Sequence, residues 1–210
     1  MLKDKIQHDI DMLPNNHKTK DIDRLIGGYV KQKLDLSELR DYVLSEQQFH
    51  RIYFHTMLKQ IKSANDRLDF IDKNLLFSDW WHTDELIGLI GNADFTKAYY
   101  LASGYINDPD SFIRRWGYVM FVSRLCRDRE RLPELFKLFH NDDHYYVQMA
   151  QAWLICELAV FFPSDVLMWL PKSELNYEIT GKAIQKICDS FRVPSEMKSS
   201  FRQLRSVLKT

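Results

Sequence analysis

The sequence predicts an all-α protein built from stacked helix pairs. Three observations carry that expectation. Apolar residues recur at spacings of three and four, as in Phe49, Ile52, Tyr53, Met57 and Ile61. Gly (7) and Pro (6) are scarce, whereas an all-β sandwich needs many turns. The apolar blocks also recur, opening near Ser78, Phe112, Tyr146 and Thr180 at steps of 34 residues, with one more near Glu46. That is the period of helix-pair solenoids. Periodicity alone fits a plain helical bundle equally well.

The elements follow in order. Asp35 precedes Glu38 by three and Ser45 precedes Gln48 by three, both capping-box spacings. Ser78, Asp110 and Ser164 are further N-cap candidates. A second stripe runs through Phe112, Trp116, Val119, Met120 and Val122 to Leu125, and a third through Val147, Ala150, Trp153, Leu154 and Leu158. Leu132 to Phe139 is long enough for a second helix between two blocks. No Asn-Gly or Asp-Gly hairpin signal occurs and no Pro/Gly/Ser linker divides the chain. One continuous domain over 1–210 is expected.

Composition removes several classes. The 210 residues carry 29 Lys+Arg and 29 Asp+Glu, for zero net charge, with 45% hydrophobic residues. A chain of this length buries roughly 70% of its unfolded surface, so it needs no disulfides. No stretch approaches 18 uncharged apolar residues, which predicts no membrane span. The start, Met1-Leu2-Lys3-Asp4-Lys5, does not read as a signal peptide. Cys126, Cys156 and Cys188 are widely spaced and odd in number, so free thiols in the cytoplasm are expected.

Charge is unevenly spread. Six arginines (Arg114, Arg115, Arg124, Arg127, Arg129, Arg131) stand against Asp128 and Glu130 between Ser111 and Arg131. From Gly181 to Thr210 basic residues dominate again, among them Lys182 and Lys186. These segments read as solvated helix faces or as two patches suited to phosphates.

Four residues stand out as a constellation. Trp80 and Asp84 are four apart at a helix start and share one face. Arg115 lies in Phe112-Ile113-Arg114-Arg115-Trp116, and Trp153 closes the run from Tyr145. If the blocks stack as repeats, their inner faces line one groove. Two tryptophans, a carboxylate and an arginine there suit a flat or cationic substrate beside a phosphate.

At these residues the chain resembles the HEAT-like-repeat DNA alkylation repair family, the AlkD-type alkylpurine DNA glycosylases. The resemblance rests on Trp80-Trp81-His82-Thr83-Asp84, on Phe112-Ile113-Arg114-Arg115, on Tyr145 to Trp153, and on Lys182-Ala183-Ile184-Gln185-Lys186-Ile187 with Ser190, Arg192 and Val193. It spans roughly Glu46 to Val193. It implies a right-handed α-α superhelix and hydrolysis of the N-glycosidic bond of cationic alkylated purines such as 3-methyladenine and 7-methylguanine. The implied partner is double-stranded DNA with alkylated bases, bound by a monomer that needs no cofactor and no metal.

The resemblance also assigns roles. The alkylated base is already a cationic leaving group, so charge develops on the sugar as an oxocarbenium ion. Asp84 would stabilise it, with Trp80 and Trp153 packed on the nucleotide and Arg115 on a backbone phosphate; Arg114, Lys182 and Lys186 would add DNA contacts. Cys156 and Met149 stand where relatives commonly carry basic residues. With the zero net charge, they keep open an alternative: a catalytically silent scaffold or structure-specific DNA-binding protein.

Plainer readings stand beside these. Adjacent helical residues point about 100° apart, so Trp81 is expected in the core while Trp80 faces out. Glu85, four after Trp81, competes with Asp84 for the carboxylate role. Trp116 and Trp169 read as core. His50 and His55, five apart, do not share a helical face well, and His140 and His144 lack a third ligand nearby, so no zinc site is expected.

Overall fold

The computed structural model describes residues 2–14 and 19–209. Met1 and Thr210, the ends of the expected single domain, lie outside the described residues. All regular structure in the described residues is helical, so the all-α class is observed. The chain forms two compact units, residues 1–90 and 91–210.

The first unit contains α1 (Leu2–Asp11), α2 (Thr19–Lys31), a 3-10 turn (Ser37–Tyr42), α3 (Gln47–Gln60), α4 (Ala64–Asp72), α5 (Trp80–Asp84) and α6 (Ile87–Ile90). Helix α3 is its centre. It packs on α2, on α6 and on the 3-10 turn, and buries Phe49, Ile52, Phe54 and Leu58. Ser63 caps α4 by accepting from Asp66 N–H.

The second unit contains α7 (Phe95–Tyr105), α8 (Ser111–Val119), α9 (Leu132–Leu138), α10 (Tyr145–Phe161), α11 (Pro163–Trp169), α12 (Tyr177–Asp189) and α13 (Ser195–Leu208). It is a two-layer stack of helix pairs. Helices α8, α10 and α12 pack side by side, with α10 between the other two. Helix α7 packs on α9 and α11 on α13 in the other layer. Gly117 permits the closest approach: a Cβ there would meet Ile106 Cγ2 at 2.9 Å and Tyr105 Cβ at 3.3 Å. A helix buried on nearly all sides is mostly apolar all round, and α10 buries Ala150, Ala152, Leu154, Ile155 and Leu158 together with the polar Gln148, Gln151 and Glu157.

Helices α3, α5, α8, α10 and α12 open at 47, 80, 111, 145 and 177, steps of 31 to 34 residues. Polar links within each unit keep a similar period. Arg40 bonds Asn74, and His50 and Arg51 face Glu85, in the first. In the second, Arg114 bonds Asp142, Lys182 bonds Gln148, and Arg129 bonds Asp165. Glu157 pairs with Arg192 there as well. Each link joins residues 28 to 36 apart, so the repeat seen in the apolar pattern is also written in hydrogen bonds.

Several capping expectations need correction. Asp110 caps α8 as expected, accepting from Phe112 N–H. Ser45 does not cap α3; its hydroxyl donates back to the Tyr42 carbonyl at 2.8 Å, and Glu46 takes the N-cap position. Asp35 accepts from the Ser37 amide and hydroxyl, which closes a 3-10 turn and not an α-helical capping box. Asp79, not Ser78, caps α5. Ser164 lies inside α11, because Pro163, lacking an N–H, suits the first helical turn.

Trp116 is fully buried, as expected. Trp169 is half-buried and stacks on Phe136 at 4.2 Å between ring centroids. The described cysteines are free; Cys126 and Cys156 are buried and Cys188 half-buried. Burial pushes the Cys126 thiol up to about 12 and the Cys156 thiol up to about 11, which removes thiolate chemistry at neutral pH.

Candidate functional site

The predicted site residues divide between the two units. Trp80 and Asp84 belong to the first; Arg114, Arg115, Trp153, Lys182 and Lys186 belong to the second.

Helix α5 is only five residues long, too short to be stable by propensity alone. Local and tertiary bonds hold it. Asp79 accepts from Trp80 N–H at 2.6 Å. The Thr83 hydroxyl lies 2.7 Å from the Trp80 carbonyl and 3.2 Å from Asp84 Oδ1. The Ser78 amide donates to His82 Nδ1 at 3.1 Å. Trp80 is 42% exposed, unusual for a tryptophan, and Asp84 is half-buried. Trp81 is half-buried, edge-on to His50 with ring centroids 5.7 Å apart.

One residue after Asp84 lies the most elaborate polar cluster of this unit. The Glu85 side chain is only 8% exposed. Its Oε1 meets His50 Nδ1, its Oε2 accepts from Arg51 Nη1 at 3.1 Å, and His55 Nε2 lies 3.8 Å away. Arg51 also donates to Asp23 on α2 at 2.7 Å. His50 stacks on His82 at 3.9 Å. Burial pushes His50 down to about 3, and His55 and His82 down to about 4, so all three are neutral at physiological pH. Burial raises Glu85 above the usual carboxylate range, while the Arg51 guanidinium opposes that shift. His50 therefore meets Glu85 as a hydrogen-bonding neighbour and not as a cation. His50 and His55 both reach this carboxylate, although their spacing does not put them on one helical face. Among the described residues, no group of three His, Cys, Asp or Glu is arranged to hold a metal ion.

The second unit offers a row of basic and aromatic groups at the starts of α8, α10 and α12. Arg115 is 4% exposed and donates Nη1 to the Tyr146 carbonyl at 2.7 Å. Arg114 grips Asp142 at 2.7 Å and donates to the Asp108 and Pro109 carbonyls. Arg114 thus closes the turn before its own helix and ties it to the next repeat. The Asp142 carbonyl accepts from Gln148, whose Oε1 accepts from Lys182 at 3.0 Å. Lys182 also bonds Glu178 and lies over the Tyr145 ring, which is 56% exposed. Trp153 is half-buried on α10. Lys182, Lys186 and Arg205 line a cleft of about 420 Å³ together with Glu178 and Asp189, so the rim mixes both signs of charge.

Helices that recur at steps of 31 to 34 residues define a helical-repeat protein. The particular family is shown by sequence: residues 16–187 match the model of the DNA alkylation repair enzyme family, and the chain belongs to it. The match begins well before Glu46, where the motif resemblance begins. Membership carries a role in DNA alkylation repair. No curated protein and no solved structure matches the chain.

The sequence reading missed the Glu85 cluster as a unit. Its signal was present in His50, Arg51 and His55 on one short stretch, but their common target lies 30 to 35 residues away.

Proposed function

We propose that the protein hydrolyses the N-glycosidic bond of cationic alkylated purines in duplex DNA. The observation that supports this reading most is helix α5 itself. It sets an exposed tryptophan and a half-exposed carboxylate on one short turn, held at its base by a buried polar cluster, in a chain of the DNA alkylation repair enzyme family.

The chemistry asks for little. A 3- or 7-alkylated purine leaves as a neutral base, so no general acid is needed. A carboxylate about 4 Å from the developing sugar cation, at an effective dielectric of about 20, stabilises it by about 4 kcal/mol. That is about three decades of rate. In this reading Asp84 is that carboxylate, because the Glu85 side chain is almost enclosed and taken up by His50 and Arg51. Trp80 packs on the lesion nucleotide, its π face favouring positive charge. Lys182 and Lys186 add attraction to the phosphate backbone, whereas Arg115, buried and bonded to the Tyr146 carbonyl, shapes the start of α10.

A specific observation favours a second reading. Arg114, Arg115 and Lys182 are all engaged inside the protein, and Arg114 is wholly structural in its contacts. A catalytically silent scaffold, or a binder that recognises DNA structure with few phosphate contacts, would tolerate this arrangement. Release of 7-methylguanine from methylated duplex DNA decides between them. Excision that exceeds spontaneous depurination supports the glycosylase; binding at low salt without release supports the silent binder.

A further inference from the structure

We propose that His50 and Arg51 are positioning residues for the chemistry of helix α5: they clamp the Glu85 carboxylate and so fix the turn that carries Trp80 and Asp84. The inference rests on the reading that α5 carries the reacting carboxylate, and it assigns a role to residues outside the motif.

The geometry points to it in three ways. First, α5 has fewer than two turns and cannot hold its own shape, so its orientation must come from tertiary contacts. Glu85 is the C-cap residue of this helix, and its backbone N–H bonds the Trp81 carbonyl at 3.1 Å. Holding the Glu85 side chain therefore holds the end of the turn.

Second, the clamp is built from a rigid element. His50 and Arg51 are adjacent on the central helix α3, and each takes one oxygen of the same carboxylate. The His50 side chain is fully buried, and its ring meets the Leu76 backbone as well as Glu85. Burying a polar ring costs desolvation, and a leucine or phenylalanine would avoid that cost. What the histidine adds there is its bond to Glu85.

Third, every charged or titratable group facing Glu85 is accounted for. Arg51 and His55 come from α3, Asp23 from α2 through Arg51, and His82 from α5 itself, stacked on His50. Arg51 is the sole fixed positive charge among them. It favours ionised Glu85, whereas burial favours the neutral acid. His50 Nδ1 and Glu85 Oε1 share a hydrogen bond. Removing Arg51 should leave Glu85 protonated to higher pH.

The test uses the full chain. His50→Leu deletes the bond, His50→Asn keeps a donor near the Nδ1 position, and Arg51→Met deletes the charge. Single-turnover release of 7-methylguanine should fall about 10- to 100-fold in His50→Leu, as for other small losses of alignment, and His50→Asn should recover most of it. Duplex DNA affinity should stay within about twofold, because neither residue is assigned a phosphate contact. Arg51→Met should move the acid limb of the excision profile to higher pH, a shift that a purely structural role would not produce. Amide hydrogen exchange over 78–86 should speed up in His50→Leu and Arg51→Met, a readout independent of activity. Faster exchange with wild-type excision would overturn the inference while leaving the glycosylase reading intact. Unchanged exchange and unchanged excision in both would overturn it as well. A wild-type protein that releases no 7-methylguanine removes the reading and, with it, the inference.

Discussion

Exchanging one carboxylate for its amide separates the two neighbours at the end of α5. Asp84 is half-buried, with the Thr83 hydroxyl 3.2 Å from Oδ1. Asparagine keeps that contact and removes the charge. If Asp84 faces the sugar cation, the lost attraction of about 4 kcal/mol lowers single-turnover excision by roughly two to three decades. DNA affinity should hold or rise slightly, since a carboxylate repels the phosphate backbone. Stability should change by less than about 1 kcal/mol. Glu85→Gln acts on different terms. Arg51 at 3.1 Å attracts the carboxylate by about 5 kcal/mol gross at an effective dielectric of about 20. Most of this is offset by the burial of Glu85, and Arg51 retains Asp23. A net loss of about 2 kcal/mol follows, a fall of roughly 4–8 °C in Tm for a chain of this size. Excision should drop only about tenfold, through loosening of the turn. Quench-flow excision assays, fluorescence anisotropy and urea denaturation on both variants read these effects. Wild-type excision in Asp84→Asn refutes the role of Asp84. If the two to three decades appear in Glu85→Gln instead, the carboxylate sits one residue further on, with Trp81 in the place given to Trp80.

Three further outcomes are expected. His50, His55 and His82 are held neutral in the folded state, so unfolding lets them take protons below their ordinary value of 6.5. Their contribution is intact above about pH 6.5 and is lost toward pH 4, by about 2 kcal/mol each at pH 5; protonation of Glu85, raised by burial, offsets part of this. Urea denaturation at about pH 7.5 and pH 5 should show a drop of several kcal/mol, and an equal stability at both would contradict it. Gln151 on α10 is fully buried with both amide atoms unpartnered. Gln151→Met should therefore raise stability by about 1–2 kcal/mol, measured by thermal melts. Arg114→Ala leaves Asp142, whose side chain is 4% exposed, without its guanidinium, and should cost about 3 kcal/mol of unfolding free energy. Loss of DNA affinity with unchanged stability would restore Arg114 to a phosphate contact.

Much of this protein is local, and local order is what a sequence displays. The helical stripes at 49–61 and 147–158 follow from side chains three and four apart sharing a face; the one expected over 112–125 is helical only as far as Val119, where α8 ends and turns begin. Asp110 caps its helix with its own side chain. The repeat of about 34 residues follows from each helix pair having to bury its apolar face against the next. The family motifs were legible for the same reason. What only the tertiary structure decided are the pairings between repeats. Arg114 and Asp142 are each a plausible surface charge when read singly, yet they close one turn onto another. Arg115 reads as a phosphate ligand, but its burial and its bond to the Tyr146 carbonyl come from the neighbouring helix. The sharpest case is Asp84 and Glu85. In a five-residue helix the hydrophobic period has too few residues to say which face turns inward. The choice was made by His50 and Arg51, 35 and 34 residues before Glu85, which draw the Glu85 side chain into the interior.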